Sequence, residues 1–321
     1  MIKLENVIKK YQGDVIAVDN VSLEIEKGET FVLVGTSGCG KTTTMKLINR
    51  LVDLTSGSIF LDGNDIQSMD SYSLRRSIGY VIQNVGLFPH FTIERNIGVV
   101  PELLGWKKDK NRERVRELLD MVGLEPEKFA TRYPNELSGG QQQRIGVARA
   151  LAADPDVILM DEPFGALDPL TRETLQDELS PLWNALDKTV VFVTHDIFEA
   201  VKIGDRIGVM NEGKILQSGK PGEVIKNPGN EVVASFFAQH RFQLELLTTR
   251  IEHIVEEADE SKIKRDKDVP DLHPYNSLID AMDALKMSNG QMVPVYDSKK
   301  RFVGVVTRKS VTKEISNLIE N

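Results

Sequence analysis

Cysteine is nearly missing from the chain. Cys39 is the single one, which excludes an intrachain disulfide framework and a multi-cysteine metal site. An excess of basic charge is missing too: Lys and Arg number 40 against 48 Asp and Glu, a net charge of −8. A chain without a basic footprint is not built for nucleic acid as its main partner. Long apolar runs are also lacking. The stretches 31–35, 157–160 and 190–193 fall far short of the ~20 residues a membrane-spanning helix needs, and read as buried strands. The opening residues, Met1-Ile2-Lys3-Leu4-Glu5-Asn6, contain no basic segment leading into an apolar stretch. The expectation is therefore no secretory signal and a place on the cytosolic side. No internal repeat is visible.

What is present is a globular composition, with 40% hydrophobic and 27% charged residues over 321 positions. That length suits two domains at ~150 residues each. Short β-branched runs (31–35, 78–82, 157–160, 190–194, 207–210) alternate with helical patterns. Continuous apolar strands between helices predict an α/β fold with a mostly parallel sheet covered on both faces. Leu175, Leu179, Leu182 and Leu186 form one apolar stripe of a helix, which Pro181 is expected to kink or split. Residues 85–132, with the charged stretch 107–116, read as a helical subdomain inserted in the α/β core. After the hairpin signal Asn211-Glu212-Gly213-Lys214 the pattern changes. Residues 231–247 read as a helix, 256–268 as a charged linker, and 269–321 as a small unit of helix, strand, turn, strand and helix.

Residues 31–34 form a strand, and Gly35-Thr36-Ser37-Gly38-Cys39-Gly40-Lys41-Thr42 follows at once, with a helix behind it from Thr43. The spacing is that of a phosphate loop. Glycines let the backbone turn several N–H groups toward a β-phosphate, and the helix N-terminus adds partial positive charge. Lys41 neutralises the β- and γ-oxygens, and the Thr42 hydroxyl is placed to ligate Mg²⁺. Cys39 is a small tolerated residue of that loop. The strand 157–160 ends in Asp161-Glu162. Asp161 can hold Mg²⁺ directly or through water, and Glu162 can polarise the water that attacks a γ-phosphate. Ser138, before Gly139-Gly140-Gln141 and a helix, marks a second N-terminal anion site.

The phosphate loop, Leu137-Ser138-Gly139-Gly140-Gln141, Asp161-Glu162, Ala166-Leu167-Asp168 and a strand ending in His195 occur in the order of an ABC-transporter ATP-binding subunit. The resemblance covers about residues 1–240. It implies an ATP-hydrolysing domain over 1–245 with an N-terminal antiparallel β part and a helical subdomain at about 85–150. ATP and Mg²⁺ are the implied cofactors. In this resemblance Tyr11 stacks on adenine, and Gly35, Thr36, Ser37, Gly38, Cys39, Gly40, Lys41, Thr42 and Thr43 hold the phosphates. Thr42, Gln83 and Asp161 hold the metal, while Glu162, His195 and Gln83 serve the chemistry. Ser138, Gly139, Gly140 and Gln141 cap the nucleotide of a second copy, and Asp168 crosses between the copies. One chain carries one phosphate loop and one signature, so two copies are expected to close around two ATP molecules.

Phe88-Pro89-His90-Phe91-Thr92-Ile93 and Tyr133-Pro134-Asn135-Glu136 resemble the importer versions of their loops. The implied partners are separate membrane permease subunits and a substrate-binding protein, at the cytoplasmic face of the membrane. Phe88 and Phe91 either receive a coupling helix or pack in the core. The segment 246–268 is expected to link this domain to a single CBS-like motif at 269–321, carried by Val293-Pro294-Val295-Tyr296 and Phe302-Val303-Gly304-Val305-Val306-Thr307. Many adenosine-binding CBS motifs have Asp three residues after the Thr; here it is Ser310. A regulatory ligand and a purely dimer-stabilising role both stay open, and the basic cluster Lys262, Lys264, Arg265 and Lys267 reads as solvated linker. The combination resembles ATPase subunits for uptake of glycine betaine, carnitine, choline or related trimethylammonium compounds such as ergothioneine. An importer for amino acids such as proline or methionine, and a soluble non-transport ABC ATPase, are the alternatives.

Overall fold

The computed structural model describes residues 1–83, 86–165, 167–185, 187–260, 263, 269–288 and 292–320. Val85, Ala166, Leu186, the side chain of Leu182 and the charged positions 262 and 264–268, all singled out in the sequence, lie outside what is described. The chain divides into two compact units, Met1–Gly219 and Lys220–Asn321.

The first unit runs β1 (Ile2–Lys10), β2 (Ile16–Ile25), β3 (Thr30–Val34), α1 (Lys41–Ile48), β4 (Ser56–Leu61), β5 (Asn64–Asp65), α2 (Ser71–Ser77) and β6 (Ile78–Val81). It continues through α3 (Ile93–Leu103), α4 (Lys108–Met121), α5 (Pro126–Phe129), α6 (Gly139–Leu151), β7 (Val157–Asp161), α7 (Pro169–Ala185), β8 (Thr189–Thr194), α8 (Ile197–Ile203), β9 (Arg206–Asn211) and β10 (Lys214–Gly219). Two sheets result. β2-β1-β4-β5 is antiparallel, and β10-β9-β3-β8-β7-β6 is parallel from β9 to β6. Every residue of β3, β7 and β8 is buried, because helices cover both faces of the parallel sheet. One core joins the two sheets and α1, through residues such as Ile2, Val18, Leu33, Met45, Ile59 and Leu159.

The register of the parallel strands decides where chemistry can occur. Val34 pairs with Thr194, Asp161 with Val193 and Val81 with Met160, so β3, β8, β7 and β6 end together. Residues just beyond those ends meet in the crevice at the carboxyl edge of the sheet, where ligands bind in open α/β folds.

One expectation about α7 is corrected. It runs unbroken over 17 residues, so Pro181 does not split it. The missing backbone donor costs less than the helix gains by burying Leu175 and Leu179, each 1% exposed.

The second unit holds α9 (Pro221–Lys226), α10 (Glu231–Ala238), α11 (Arg241–Thr248), α12 (Leu278–Met287), the antiparallel pair β11 (Met292–Tyr296) and β12 (Phe302–Thr307), and α13 (Arg308–Glu320). Helix, strand, turn, strand and helix thus follow in the order expected of 269–321. Two boundaries move, however. The predicted helix 231–247 is two helices, with His240 between them at φ −121°. The units part after Gly219 instead of at 245, and the supposed linker 246–268 starts inside a core. Leu246, Ile251 and Ile254 are buried with Leu272, Leu278, Val293 and Val306. Apolar residues spaced along 246–254 belong to that core, and the charge of the stretch behind them hid it.

Candidate active site

Between β3 and α1 the backbone makes the turn that the glycines permit. Gly38 has φ 78° and Gly40 φ 114°, left-handed values that side chains rarely adopt. Space is as restrictive as conformation: a Cβ on Gly35 would lie 2.1 Å from the Met210 carbonyl oxygen, and one on Gly40 2.3 Å from that of Ala17. No side chain caps α1 and no acidic residue stands in its first turn, so its leading N–H groups face the loop uncompensated. Lys41 is 4% exposed and folds back over the loop, donating from Nζ to Gly35 O at 2.8 Å and to Thr36 O at 2.9 Å. Cys39 is buried beside it, with Sγ 3.8 Å from Nζ.

The start of α1 and three strand ends then supply the remaining groups. Thr42 Oγ1 donates to Asp161 Oδ1 at 2.8 Å, joining α1 to the end of β7. Asp161 is 3% exposed, and burial pushes its carboxyl above the ordinary range, with the charge of Glu162 adding and the Thr42 hydroxyl opposing. Glu162 adopts φ 44° and donates its backbone N–H to Val193 O at 2.9 Å, which turns its side chain out of β7. Its two oxygens are shared: Oε2 accepts from Gln83 Nε2 at 2.9 Å, and Oε1 lies 3.3 Å from His195 Nδ1. Sequence positions 41, 42, 83, 161, 162 and 195 therefore form one connected cluster.

A divalent cation suits this cluster by the character of its donors. A hydroxyl, an amide oxygen and a carboxylate are hard ligands. Asp161 in particular is a buried, desolvated carboxylate beside the Thr42 hydroxyl and a second carboxylate, Glu162, with the charges of Lys46 and Lys41 also acting on it.

The other predicted residues lie elsewhere on the unit. Ser138 caps α6: its Oγ accepts from Gln141 N at 3.3 Å, and Gln141 Oε1 accepts from Ser138 N at 3.0 Å. The signature serine and glutamine thus occupy each other. Gly139 and Gly140 face the start of α7, where a Cβ on Gly140 would lie 2.8 Å from Thr171 Cγ2. Asp168 accepts from Thr171 N at 3.1 Å, and its bonds to Thr171 hold its carboxyl below the usual range. Tyr11 is 42% exposed after β1, with Lys9 Nζ 5.0 Å from its ring.

Residues 18–165 match the family model for the ABC transporter. A glycine betaine transport ATP-binding protein of Bacillus subtilis (strain 168) is 39% identical over 315 residues, covering 97% of this chain and 72% of that protein. The chain belongs to the ABC transporter ATP-binding family. A glycine betaine/carnitine/choline transport ATP-binding protein of the same organism is 57% identical over 241 residues, or 75% of this chain. That match spans 63% of the relative's length, less than two thirds. Among solved structures, a dimeric ATP-binding cassette in a post-hydrolysis state, bound to ADP and Pi, is 39% identical with a TM-score of 0.62. The match covers 68% of this chain and 98% of that one.

Two features of this ABC unit carry no local signal in the sequence. Asn96 is fully buried under the 88–92 loop: Oδ1 accepts from Phe88 N at 2.8 Å, while Nδ2 donates to the carbonyls of Phe88, Phe91 and Thr92, each at 3.1 Å. It fixes a loop on which Phe88 stays 45% exposed and stacks at 5.1 Å with Phe91. The second is Glu199, 5% exposed in α8, which joins β8 to α7.

Proposed function

We propose that the chain is the ATP-hydrolysing subunit of an importer for trimethylammonium osmoprotectants of the glycine betaine, carnitine and choline class. The observation that carries the hydrolytic part is the junction of Gln83, Glu162 and His195 beside Lys41, Thr42 and Asp161. The substrate class rests on the names of the relatives.

The backbone N–H groups of 35–40 and the start of α1 receive the β-phosphate, and Lys41 exchanges its two carbonyl partners for β- and γ-oxygens. Thr42, Asp161 and Gln83 would hold Mg²⁺, which would supply neutralisation of the phosphate charge. Glu162, held between Gln83 and His195, orients the attacking water and takes its proton. His195 donates toward the γ-phosphate as negative charge shifts on its oxygens. Ser138, with Gly139 and Gly140, leaves Gln141 to cap the γ-phosphate bound to a second copy, and Asp168 crosses to that copy. Binding two ATP molecules closes the pair, and hydrolysis with release of phosphate reopens it.

Membrane permeases and a substrate-binding protein complete the importer, with the Asn96-pinned loop and exposed Phe88 receiving the permease. We read residues 269–321 of the second unit as a CBS-type element that pairs with its copy in the second chain. In it Ser310 and Thr307 bond to each other instead of standing free for a ribose.

Replacing Glu162 with Gln is the test. Hydrolysis is expected to fall by roughly a hundredfold or more, with an ATP-bound dimer accumulating in size-exclusion chromatography; an unchanged rate removes Glu162 from the base role. In the complex reconstituted in lipid, stimulation of hydrolysis by glycine betaine, carnitine or choline through the binding protein supports the substrate class. Stimulation by proline or methionine overturns it.

A further inference from the structure

Glu199 is the buried carboxylate in this unit that the hydrolytic scheme does not use. It lies on α8, and its contacts leave that helix in two directions. Toward β8, Thr194 Oγ1 donates to Glu199 Oε2 at 2.5 Å. The direction of that bond is fixed, because Thr194 Oγ1 already accepts the Asp196 N–H at 2.9 Å and has one proton of its own to give. Toward α7, Gln176 Nε2 donates to Glu199 Oε1 at 2.9 Å. Thr194, Gln176 and Glu199 are all under 10% exposed, at 2%, 7% and 5%.

Arg172 closes the circuit. Its guanidinium lies 3.9 Å from Glu199 Oε1 and 3.5 Å from Asp196 Oδ2, and donates to Leu167 O at 3.4 Å. Its backbone N–H also bonds to Asp168 O at 2.9 Å. Burial raises the Glu199 carboxyl above its ordinary range, so removing its partners would leave an expensive group in the core. Such a group is retained where its geometry matters.

We propose that Glu199 is a positioning residue that ties the strand end carrying His195 to the 167–168 turn and α7, so that the two move as one piece. His195 and Asp168 act, on the reading above, at the nucleotide of this chain and at that of the second copy. A rigid link between them makes each site sense the other through α7 and α8 instead of through solvent-exposed loops. The inference rests on that reading of His195 and Asp168.

Four variants of the full chain separate the possibilities, with kcat and KM for ATP measured apart and thermal unfolding followed in parallel. Glu162→Gln is the control for the reading itself, and full activity in it removes the scheme on which the tie depends. Given an inactive Glu162→Gln, Glu199→Ala is expected to lower kcat by roughly tenfold or more while KM stays within about twofold. Gln176→Leu cuts the link on the α7 side without touching Thr194 or His195, and is expected to give the same split if Glu199→Ala does not fold. Glu199→Gln should recover most of the lost kcat, because Gln176 can turn its amide over and restore both hydrogen bonds. Wild-type kcat in Gln176→Leu overturns the proposal. So does a Glu199→Gln enzyme as slow as Glu199→Ala, or a KM rise that accounts for the whole loss.

Discussion

The turn from β3 into α1 and the turn from β12 into α13 each lead from a strand to a helix N-terminus, and they treat that terminus in opposite ways. At α13, Thr307 Oγ1 accepts from Ser310 N at 3.1 Å and Ser310 Oγ accepts from Thr307 N at the same distance. One of the leading helix donors is thus taken up by the chain itself. At α1 the cap position is Gly40, which has no side chain, and the donors stay open. An uncapped helix N-terminus leaves its donors to an anion. Helix α6 is capped as α13 is, by the reciprocal bonds of Ser138 and Gln141.

Filling the open end breaks the comparison hardest. Gly40→Ala places a Cβ on backbone with φ 114° and 2.3 Å from Ala17 O. Binding of a fluorescent ATP analogue is expected to fall at least about a hundredfold, with a stability loss on the order of 3 kcal/mol in denaturant unfolding. Retained nucleotide binding would show that the tight turn is dispensable.

This contrast was half legible in the sequence. Glycines and apolar strand ends are local signals, so the 35–42 loop and Asp161-Glu162 stood out before any fold was known. The pairing of Glu162 with Gln83 and His195 was legible only as a resemblance, since three separate strands bring those residues together. The Glu199 link was not legible at all: Gln176 and Thr194 stand 23 and 5 residues from it, and no single period relates them. The boundary at Gly219 was missed for a different reason. The apolar residues that commit 246–254 to the second core are few and lie before a strongly charged run, which dominated the local composition.

Truncation sharpens the difference between the units. A chain ending at Gly219 removes the second unit whole and is expected to stay folded with nucleotide binding intact. One ending at Thr249 strands Leu246 without Leu278 or Val306 to cover it, and is expected to aggregate. Light scattering of the two proteins decides it. Equal solubility would place the boundary back near 245.

Removing the cap at α13 tests the other half. Thr307→Val keeps the shape of the side chain and deletes the acceptor, at a cost of about 1 kcal/mol to the second unit. Basal hydrolysis should not change. A loss of hydrolysis would instead place Thr307 among the groups that serve the nucleotide.

The smallest effect expected is electrostatic. In the β11–β12 turn, Asp297 accepts from the backbone N–H groups of Arg301 and Lys299, each at 2.9 Å, and from Arg301 Nε at 2.7 Å. These bonds, that to the Arg301 backbone first, hold its carboxyl below the ordinary value. A carboxylate depressed in the folded state contributes stability that is complete above its unfolded pKa, about 3.9, and is lost as pH falls through the lower folded value. Asp297→Asn should therefore flatten the acid limb of the second unit's unfolding curve below about pH 4, and change little at neutral pH. The group keeps part of its surface in water, where its charge is screened, so the shift is expected to be smaller than that of Thr307→Val. Identical acid limbs for the two proteins would mean that the turn holds its register through its backbone bonds, Asp297 N to Arg301 O and Lys300 N to Asp297 O, without help from the charge.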